Sequence, residues 1–590
     1  MKNYLLCIVS VLLLGEAGLQ AVNLTGQPTE TPVTERYIVS ADSMALARDS
    51  VTNIDGIVTG ELALIDAVAA NLNPQQVATL SMADSSVTLF ADHAVVANSK
   101  KLQKAAAVAA ETTIKIDPTE YQAYADQIGA AALHEQGITG EGVTIAIVDS
   151  GIWKSETGSG VSDRVLARVD STGDAIEVFT KEVRHYSTDK KLRSMDQQDS
   201  DTDIDLDFID EIEIQDDSYG HGTHIASVVA SNFQSDDGKY EGVAPGANII
   251  ALKAFNKEGR GTYVSVITAI NWAVENRTAY NIRVLNLSLS AAPSSFYWED
   301  PLAKAVMAAW DAGIVVVASA GNDGPDYFSI GVPGNVPQII TVGATSDNYT
   351  PNDDSDDFVT SFSGAGPTPA GFLKPEIVAP GGHIVGRMSN NAQIAIDHPG
   401  SKNKDAFAMS GTSQSAAVVS GAVALMLQAD PSLTPENVKC RLISAAIPMS
   451  TKDGSANESV LRQGSGLVQV DQAVQSNASD CGTAGASVVM DDSGTERLVG
   501  PVKRDSNGDF YWEDAFGQRY AETDGYVWSQ GYVWAQGYVW AQGYIWAQGY
   551  IWAQSYIWAQ GYVWGQGYIW GQRTSLRGAS IDVNRWVEHE

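Results

Sequence analysis

The chain has 590 residues, with 37 Lys and Arg against 71 Asp and Glu and a formal net charge of −34. This length exceeds what a single hydrophobic core supports, so we expect roughly three or four segments. The negative charge repels nucleic acid and anionic lipid, which argues against both as partners.

The first residues predict a secretory signal peptide. A basic start is followed by an apolar run from Tyr4 to Leu14, and small residues then allow cleavage after Ala17 or Ala21. The run is shorter than the roughly 20 residues that span a bilayer, and no later apolar run is longer. We therefore expect residues 1–21 to be removed and the protein to be secreted, either free or associated with the cell surface, without a membrane span.

Residues 30–98 predict a small α+β domain. The runs "RYIVSADS" and "SVTLFADHAVV" have the alternation of strands, whereas "LALIDAVAANL" at 62–72 has a helical pattern. An alanine- and lysine-rich joint follows at 99–116.

Residues 117–474 alternate short apolar strands with amphipathic helices, which predicts a doubly wound parallel sheet covered on both faces. Such sheets carry their sites just beyond the carboxyl ends of the strands. Asp149 and Asn322 each end a predicted strand, and His221 and Ser413 each open a predicted helix. Taken singly, each has a plain structural explanation as a cap, a turn residue or a core side chain.

Six motifs in this region resemble those of the subtilases, the subtilisin-like serine proteases. They occur in the order of that family and cover roughly residues 121–474. They are "AIVDSGI" around Asp149, "HGTHIAS" around His221, "GVAPGANI" at 242–249, "SAGNDG" around Asn322, "KPEIVAPG" at 374–381 and "SGTSQSAAVVSG" around Ser413.

The resemblance implies a serine endopeptidase whose substrates are proteins or peptides. Ser413 would be the nucleophile, His221 the general base and Asp149 the residue that orients the imidazole. Asn322 and the backbone N–H of Ser413 would stabilise the oxyanion. The chemistry needs no cofactor. We expect His224, one turn after His221, to be a packing residue.

The resemblance also locates the S1 pocket, whose walls would be Ser288, Leu289, Ser290, Ser319, Ala320 and Gly321. The family commonly has glycine where Ser290 stands, so we expect small or medium apolar side chains at P1. Gln414, Ala417 and Ser227 also depart from the usual motifs, where methionine, proline and glycine are common. We expect these changes to affect rate rather than reaction type.

The segment between Asp149 and His221 contains eleven acidic residues in the 22 positions from Asp196 to Asp217. A solvated acidic hairpin and a structural calcium site are both open readings. An EF-hand loop is excluded, because Leu206 stands where glycine is required and Ile212 where glutamate is required. The metal ligands, if any, are therefore unknown.

Two cysteines remain after the signal peptide, Cys440 and Cys481. They could pair in an oxidising compartment or stay as isolated thiols, because sequence does not set their distance.

By resemblance, residues 30–98 would be a propeptide that assists folding, inhibits the enzyme and is released by self-cleavage at the joint. Residues 475–524 are predicted as a linker and 573–590 as a tail.

Between them, 525–572 contain eight copies of the repeat G-Y-[VI]-W-[SAG]-Q without a charged residue, and the sixth copy has Ser555 in place of the glycine. The period of six places every Tyr and Trp on one face of an extended chain, so short strands are expected. This face could self-associate, bind polysaccharide or pack on the protease. A rival reading makes the repeat the functional part, in a surface-binding protein.

Overall fold

The computed structural model describes residues 34–83, 87–92, 124–154, 159–173, 175–180, 217–235, 238–350, 353–403, 406–451, 458–479, 481, 486–491, 495–513, 519–521 and 581–583. The signal peptide 1–21, the joint 99–116, the acidic residues 196–216 and the repeat 525–572 lie outside the described residues. The described residues from Glu35 onward belong to one compact unit.

The N-terminal region, residues 35–92, is an antiparallel sheet with two helices. Its elements are β1 (Glu35–Ser40), α1 (Met44–Thr52), β2 (Ile57–Leu62), β3 (Ala67–Leu72), α2 (Pro74–Ala83) and β4 (Thr88–Ala91). The strand order is β2-β3-β1-β4. Ser43 is the N-cap of helix α1, and its hydroxyl accepts from Leu46 N.

The helix expected over 62–72 is wrong. This stretch contains the end of β2, one 3-10 turn at Ala63–Ile65 and all of β3. Strand β3 pairs with β1 on one side and β2 on the other, and most of its side chains are buried. Alanine favours helix locally, but pairing along two edges and burial outweigh that weak preference.

The next part of the chain runs from residue 124 to residue 290. Its elements are α3 (Tyr124–Gln127), α4 (Ala130–His134), β5 (Thr144–Asp149), β6 (Val165–Asp170), β7 (Glu177–Thr180), α5 (His221–Ala230), β8 (Asn248–Lys253), β9 (Arg260–Gly261), α6 (Tyr263–Glu275), β10 (Ile282–Leu287) and β11 (Leu289–Ser290).

The elements that complete the main domain lie between residues 301 and 475. They are α7 (Pro301–Asp311), β12 (Val315–Ser319), β13 (Ile340–Ser346), β14 (Phe358–Val359), β15 (Ile377–Pro380), β16 (Ile384–Arg387), α8 (Gln393–Asp397), β17 (Lys402–Asn403), β18 (Ala406–Met409), α9 (Thr412–Ala429), α10 (Pro435–Ala445), α11 (Val460–Gln463) and α12 (Val470–Gln475).

In the described part of the chain, the main sheet has nine strands in the order β14-β13-β12-β10-β5-β8-β6-β7, with β15 also paired to β13. The inner pairings are parallel, whereas β7 and β14 are antiparallel additions. The chain proceeds from β5 to β8 on one side and later to β10 on the other. The resulting crevice at the end of β5 is where this architecture places ligands.

The N-terminal region packs on the start of α6. Asp92 Oδ1 accepts from Val264 N at 3.0 Å, and Arg36 Nε donates to Asp92 Oδ2 at 2.6 Å. The rings of Phe90 and Tyr263 lie 4.6 Å apart between centroids. A carboxylate at a helix N-terminus satisfies a backbone donor and interacts favourably with the helix dipole, so this contact stabilises the docked arrangement.

The stretch predicted as a linker, 475–524, contains strands in its described part. These are β19 (Ser487–Met490), β20 (Glu496–Val499), β21 (Lys503–Arg504), β22 (Phe510–Glu513) and β23 (Arg519–Ala521). Trp512 is fully buried and belongs to an apolar cluster with Leu373 and Leu461 of the main domain. Gly500 N also donates to Ala370 O at 2.7 Å. This segment is therefore docked on the main domain by both apolar and backbone contacts.

Two further features complete the fold. A disulfide joins Cys440 on α10 to Cys481, so the structure places the two thiols together. Strand β24 (Ile581–Val583) lies between β11 and β9. Among the described residues, no helix is both long enough and apolar enough to cross a membrane.

Candidate active site

Asp149 and His221 face each other at the centre of the sheet edge. Asp149 is the last residue of β5, and His221 is the first residue of α5. The Nδ1 atom of His221 lies 2.9 Å from both carboxylate oxygens of Asp149. Both residues are 1% exposed, so water competes little with this contact.

Asp217 organises the start of α5 and was missed in the sequence reasoning. Its Oδ1 accepts from Ser150 Oγ and from Gly220 N, both at 2.8 Å, and its Oδ2 accepts from the backbone N (2.8 Å) and hydroxyl of Thr223. Burial raises the pKa of Asp217, and these donors oppose the rise. Asp217 thus satisfies backbone donors at the start of α5, where the N-cap residue Gly220 has no side chain to do so.

Ser150 connects this cap to Asp149. Its backbone N–H donates to Asp149 Oδ1 at 2.8 Å, and its hydroxyl accepts from Gly222 N at 3.0 Å. The orientation of the Asp149 carboxylate and the position of the first turn of α5 are therefore coupled through one side chain.

Ser413 is the second residue of α9, a helix that is buried along most of its length. Its hydroxyl donates to the carbonyl oxygen of Ser288 at 3.1 Å. The Ser288 hydroxyl in turn donates to Ser413 O at 2.9 Å. Ser413 thus lies against the segment between β10 and β11, at the positive end of a helix of 18 residues.

Thr412 holds the side chain of Asn322. The backbone N–H and the hydroxyl of Thr412 both donate to Asn322 Oδ1, at 3.0 and 2.8 Å. The same hydroxyl accepts from Gly321 N at 3.2 Å. Because the amide oxygen accepts both bonds, the orientation of the Nδ2 donor is set by the start of α9. Thr412 was also missed, although it stands directly beside Ser413.

Two nitrogen atoms border one small space in front of Gly411. A β-carbon built on Gly411 would lie 2.8 Å from Gln414 Oε1, 3.1 Å from Asn322 Nδ2 and 3.8 Å from Ser413 N. The two nitrogen atoms that the family resemblance assigns to the oxyanion therefore border the same space, next to the side-chain oxygen of Gln414.

The residues expected to form the S1 pocket come from two neighbouring segments. Ser319, the last residue of β12, donates its hydroxyl to Leu289 O of β11 at 2.9 Å. Gly321 has a φ of +97°, and a β-carbon there would lie 3.0 Å from Ser290 Oγ. Ala320 is fully buried between them. The hydroxyl of Ser290 thus occupies space next to Gly321.

His224 is a buried member of α5. Its Nε2 lies 2.9 Å from Phe407 O, and burial lowers its pKa to about 3, so the ring is neutral at physiological pH. The only group of possible metal ligands among the described residues is Glu436, Cys440 and Cys481, and both of these sulfur atoms are in the disulfide.

Comparison with protein families matches residues 140–466, more than half of the chain, to the subtilase family. Serine protease AprX of Bacillus subtilis is 37% identical over 310 residues, which are 52% of this chain and 61% of AprX. The chain thus spans less than two thirds of that relative. Subtilisin DY of Bacillus licheniformis is 32% identical over 261 residues, covering 44% of this chain and 79% of that protein.

Two matches extend over more of this chain. Subtilisin E of Bacillus subtilis is 28% identical over 463 residues, which are 77% of this chain and 94% of subtilisin E. The crystal structure of fervidolysin from Fervidobacterium pennivorans, a keratinolytic enzyme related to subtilisin, aligns with a TM-score of 0.53 at 21% identity. This alignment covers 84% of this chain and 69% of fervidolysin, and it supports the α/β fold with a parallel sheet.

Proposed function

The chain belongs to the subtilase family, and we propose that it is a secreted serine endopeptidase that cuts peptide bonds through Ser413, His221 and Asp149. The observation that carries the proposal is the contact of His221 Nδ1 with both oxygens of Asp149 at 2.9 Å. The start of α9, with Ser413 and the neighbouring Asn322, supplies the remaining groups that the reaction needs.

The first step is attack of Ser413 Oγ on the scissile carbonyl. An ionised carboxylate only accepts hydrogen bonds, so Asp149 favours the tautomer of His221 that carries its proton on Nδ1. Nε2 is then the nitrogen that takes the proton from Ser413. Asp149 stabilises the imidazolium that forms, and the Nδ2 of Asn322 with the N–H of Ser413 stabilise the oxyanion.

The second half of the reaction uses the same groups. His221 gives its proton to the leaving amine, which departs and leaves an acyl ester on Ser413. A water molecule, deprotonated by His221, then hydrolyses this ester. The reaction needs no cofactor.

We further propose that the enzyme is made as a zymogen, with residues 30–98 as a propeptide that inhibits it and is released at the joint 99–116. The support is the contact of Asp92 and Arg36 with the start of α6, including the 3.1 Å bond from Arg36 Nη2 to Thr262 Oγ1. A docked region that shares hydrogen bonds with the enzyme can act as a folding template. Parallel sheets fold slowly because their strands are distant in sequence, and a template makes the pairing of these strands faster.

A structural calcium ion in the acidic stretch 196–216 remains part of the proposal, because carboxylates are the oxygen ligands that calcium prefers. Asp217 does not fit as a ligand, since protein donors occupy both of its oxygens. A lower melting temperature of the Ser413→Ala protein after EDTA treatment would support the presence of a bound calcium ion.

For the repeat 525–572 we propose contact with a second copy of the chain or with polysaccharide through its Tyr and Trp side chains. The test compares the full chain with a variant that lacks residues 525–572. Sedimentation measures self-association of the two proteins, and a pull-down with insoluble polysaccharide measures their binding to it.

The central experiment is labelling of the secreted full chain with a fluorophosphonate, followed by gel electrophoresis. We expect the parent to be labelled and to have lost the N-terminal region, whereas Ser413→Ala is unlabelled and unprocessed. Ser415→Ala is the matched control, because Ser415 lies on the same helix as Ser413. Its hydroxyl donates to Ala379 O of β15 at 3.0 Å. Absence of label in a folded parent would overturn the proposed function.

A further inference from the structure

Gln414 is a buried polar residue in the first turn of α9, directly after Ser413. It is 1% exposed, and its backbone N–H donates to Gly411 O at 3.1 Å. Within the described part of the chain, the Nε2 atom of its side-chain amide has no hydrogen-bond partner. Unpaired buried donors are rare in native proteins, and a catalytic role is one reason for retaining them.

The end of this side chain reaches the space in front of Gly411. A β-carbon built on Gly411 would lie 2.8 Å from Gln414 Oε1, which is closer than Asn322 Nδ2 at 3.1 Å and Ser413 N at 3.8 Å. The terminal amide of Gln414 therefore borders the same space as the two proposed oxyanion donors.

The atom of the amide that faces this space is the oxygen. When Ser413 Oγ bonds to the scissile carbonyl carbon, an electron pair moves onto the carbonyl oxygen, which becomes negative. The partial negative charge of an amide oxygen repels this oxyanion, whereas an N–H group at the same place stabilises it. The resting orientation of the Gln414 amide thus opposes the proposed reaction.

A half turn of the amide removes this conflict. The last side-chain torsion of glutamine is broad and roughly two-fold, so the oxygen and the nitrogen exchange places while the rest of the side chain stays where it is. No described residue accepts a hydrogen bond from Nε2, so the turn breaks no bond of this donor. The donor gains a charged acceptor, and hydrogen bonds to charged groups are roughly twice as strong as neutral ones.

We propose that Gln414 is a further catalytic residue, whose amide turns as the tetrahedral intermediate forms. Its Nε2 then becomes a third donor to the oxyanion, beside Asn322 Nδ2 and Ser413 N. The inference rests on the proposed function. No further covalent bond forms or breaks, because the amide only donates hydrogen bonds and keeps its protons. When the intermediate collapses, the negative charge leaves the oxygen and the amide turns back.

The first test replaces Gln414 by methionine, the residue that is common at this position in the family. Methionine is of similar size but has no N–H, so Gln414→Met should lower kcat for a peptide p-nitroanilide by about tenfold while KM stays nearly constant. Ser415→Ala is the matched control, because its hydroxyl donates to Ala379 O, away from the oxyanion space. Melting temperatures in the Ser413→Ala background check that both variants fold.

A peptide aldehyde separates an oxyanion donor from a packing residue. Ser413 Oγ adds to the aldehyde and leaves a tetrahedral oxygen in the oxyanion space, whereas the matching peptide alcohol binds without forming this bond. Gln414→Met should weaken inhibition by the aldehyde about tenfold and leave inhibition by the alcohol unchanged. An equal loss for both compounds, or no loss for either, would overturn the inference.

Nuclear magnetic resonance provides a measurement on the parent enzyme itself. In protein labelled with 15N-glutamine, the side-chain N–H signal of Gln414 is the one that is absent from Gln414→Met. This signal should move downfield when the aldehyde binds and should stay in place with the alcohol. An unmoved signal in an enzyme that fluorophosphonate labels would contradict the proposed third donor. A folded parent that fluorophosphonate does not label would instead overturn the proposed function.

Discussion

Thr412 illustrates how a neighbouring residue can position one of the proposed catalytic groups, Asn322. Both of its donors bond to Asn322 Oδ1, and its hydroxyl also accepts from Gly321 N. Two hydrogen bonds to the amide oxygen, from a residue that is itself bonded to Gly321, leave the side chain of Asn322 little freedom to rotate. The proposed oxyanion donor is thereby oriented before substrate binds, which is the arrangement that makes electrostatic stabilisation effective.

We predict that Thr412→Val, which keeps the shape but removes the hydroxyl, lowers kcat about tenfold while KM stays nearly constant. The loss should be smaller than the roughly hundredfold cost of removing an oxyanion donor altogether. Steady-state hydrolysis of a peptide p-nitroanilide measures both constants. Thr412→Ser should restore kcat, and failure of this rescue would show that the role is packing.

Ser290 is the residue that distinguishes the expected S1 pocket from the common family pattern. Its hydroxyl lies next to Gly321 and Gly331, and a β-carbon added to either glycine would be in close contact with the hydroxyl oxygen. We predict that Ser290→Gly raises kcat/KM for substrates with Phe at P1, relative to Ala at P1, by about tenfold.

A P1 substrate series measures that ratio, and Ser290→Ala serves as the intermediate variant because it removes only the oxygen atom. If neither variant changes the ratio of Phe to Ala, Ser290 does not restrict the pocket.

At the scale of elements, the helix starts decide where the chemistry lies. Helix α5 begins at His221 because Asp217 accepts from Gly220 and Thr223, and α9 begins at Thr412 because Asn322 accepts from its backbone N–H. The family-typical proline is replaced by Ala417, and α9 continues without interruption from Thr412 to Ala429.

The disulfide ties α10 to the segment that follows the main domain. Cys440 and Cys481 are 41 residues apart in sequence, and closing a loop of this length restricts the unfolded chain. We predict that the double variant Cys440→Ser, Cys481→Ser lowers the free energy of unfolding by about 2–4 kcal/mol. The measurement is thermal unfolding in a Ser413→Ala background, which prevents self-digestion.

The control for this prediction is the same comparison in the presence of a reductant. The parent and the double variant should then unfold at similar temperatures. A difference that persists after reduction would come from the serine side chains rather than from the lost bond.

At the scale of the whole molecule, the excess of acidic residues has a local consequence at Asp357. Burial, followed by repulsion from Asp354, Asp347, Asp356 and Asp353, raises the pKa of Asp357 to about 7. Since this value is above the ordinary one of about 3.9, the protonated form is favoured in the folded state. The group therefore stabilises the fold below about pH 4, and this contribution is lost as the pH rises through 7.

We predict that Asp357→Asn reduces the fall in melting temperature between pH 4 and pH 8, again in the Ser413→Ala background. Added salt should reduce the part of the effect that comes from the neighbouring carboxylates. Asp311→Asn removes the same charge from an exposed position at the end of α7 and is the matched control. Equal pH profiles for the two variants would contradict the prediction.

Much of the candidate site is predictable from the motifs. Asp149, His221, Asn322 and Ser413 were identified from strand and helix boundaries and from the order of the subtilase motifs, because each signal lies within a few residues of the chain. The parallel sheet was likewise expected from the alternation of apolar strands and helices, and the structural alignment supports it.

Other features depended on contacts between distant parts of the chain. Residues 67–72 form a strand because β1 and β2 lie on either side, and Cys440 meets Cys481 because the segment after α12 returns to α10. The position of Ile581–Val583 beside Ser290 likewise has no local signal. Sequence alone determined which groups form the candidate site, since these follow local periodicity and motifs. Only the tertiary structure decided which distant segments meet, because that depends on pairing and burial across the whole fold.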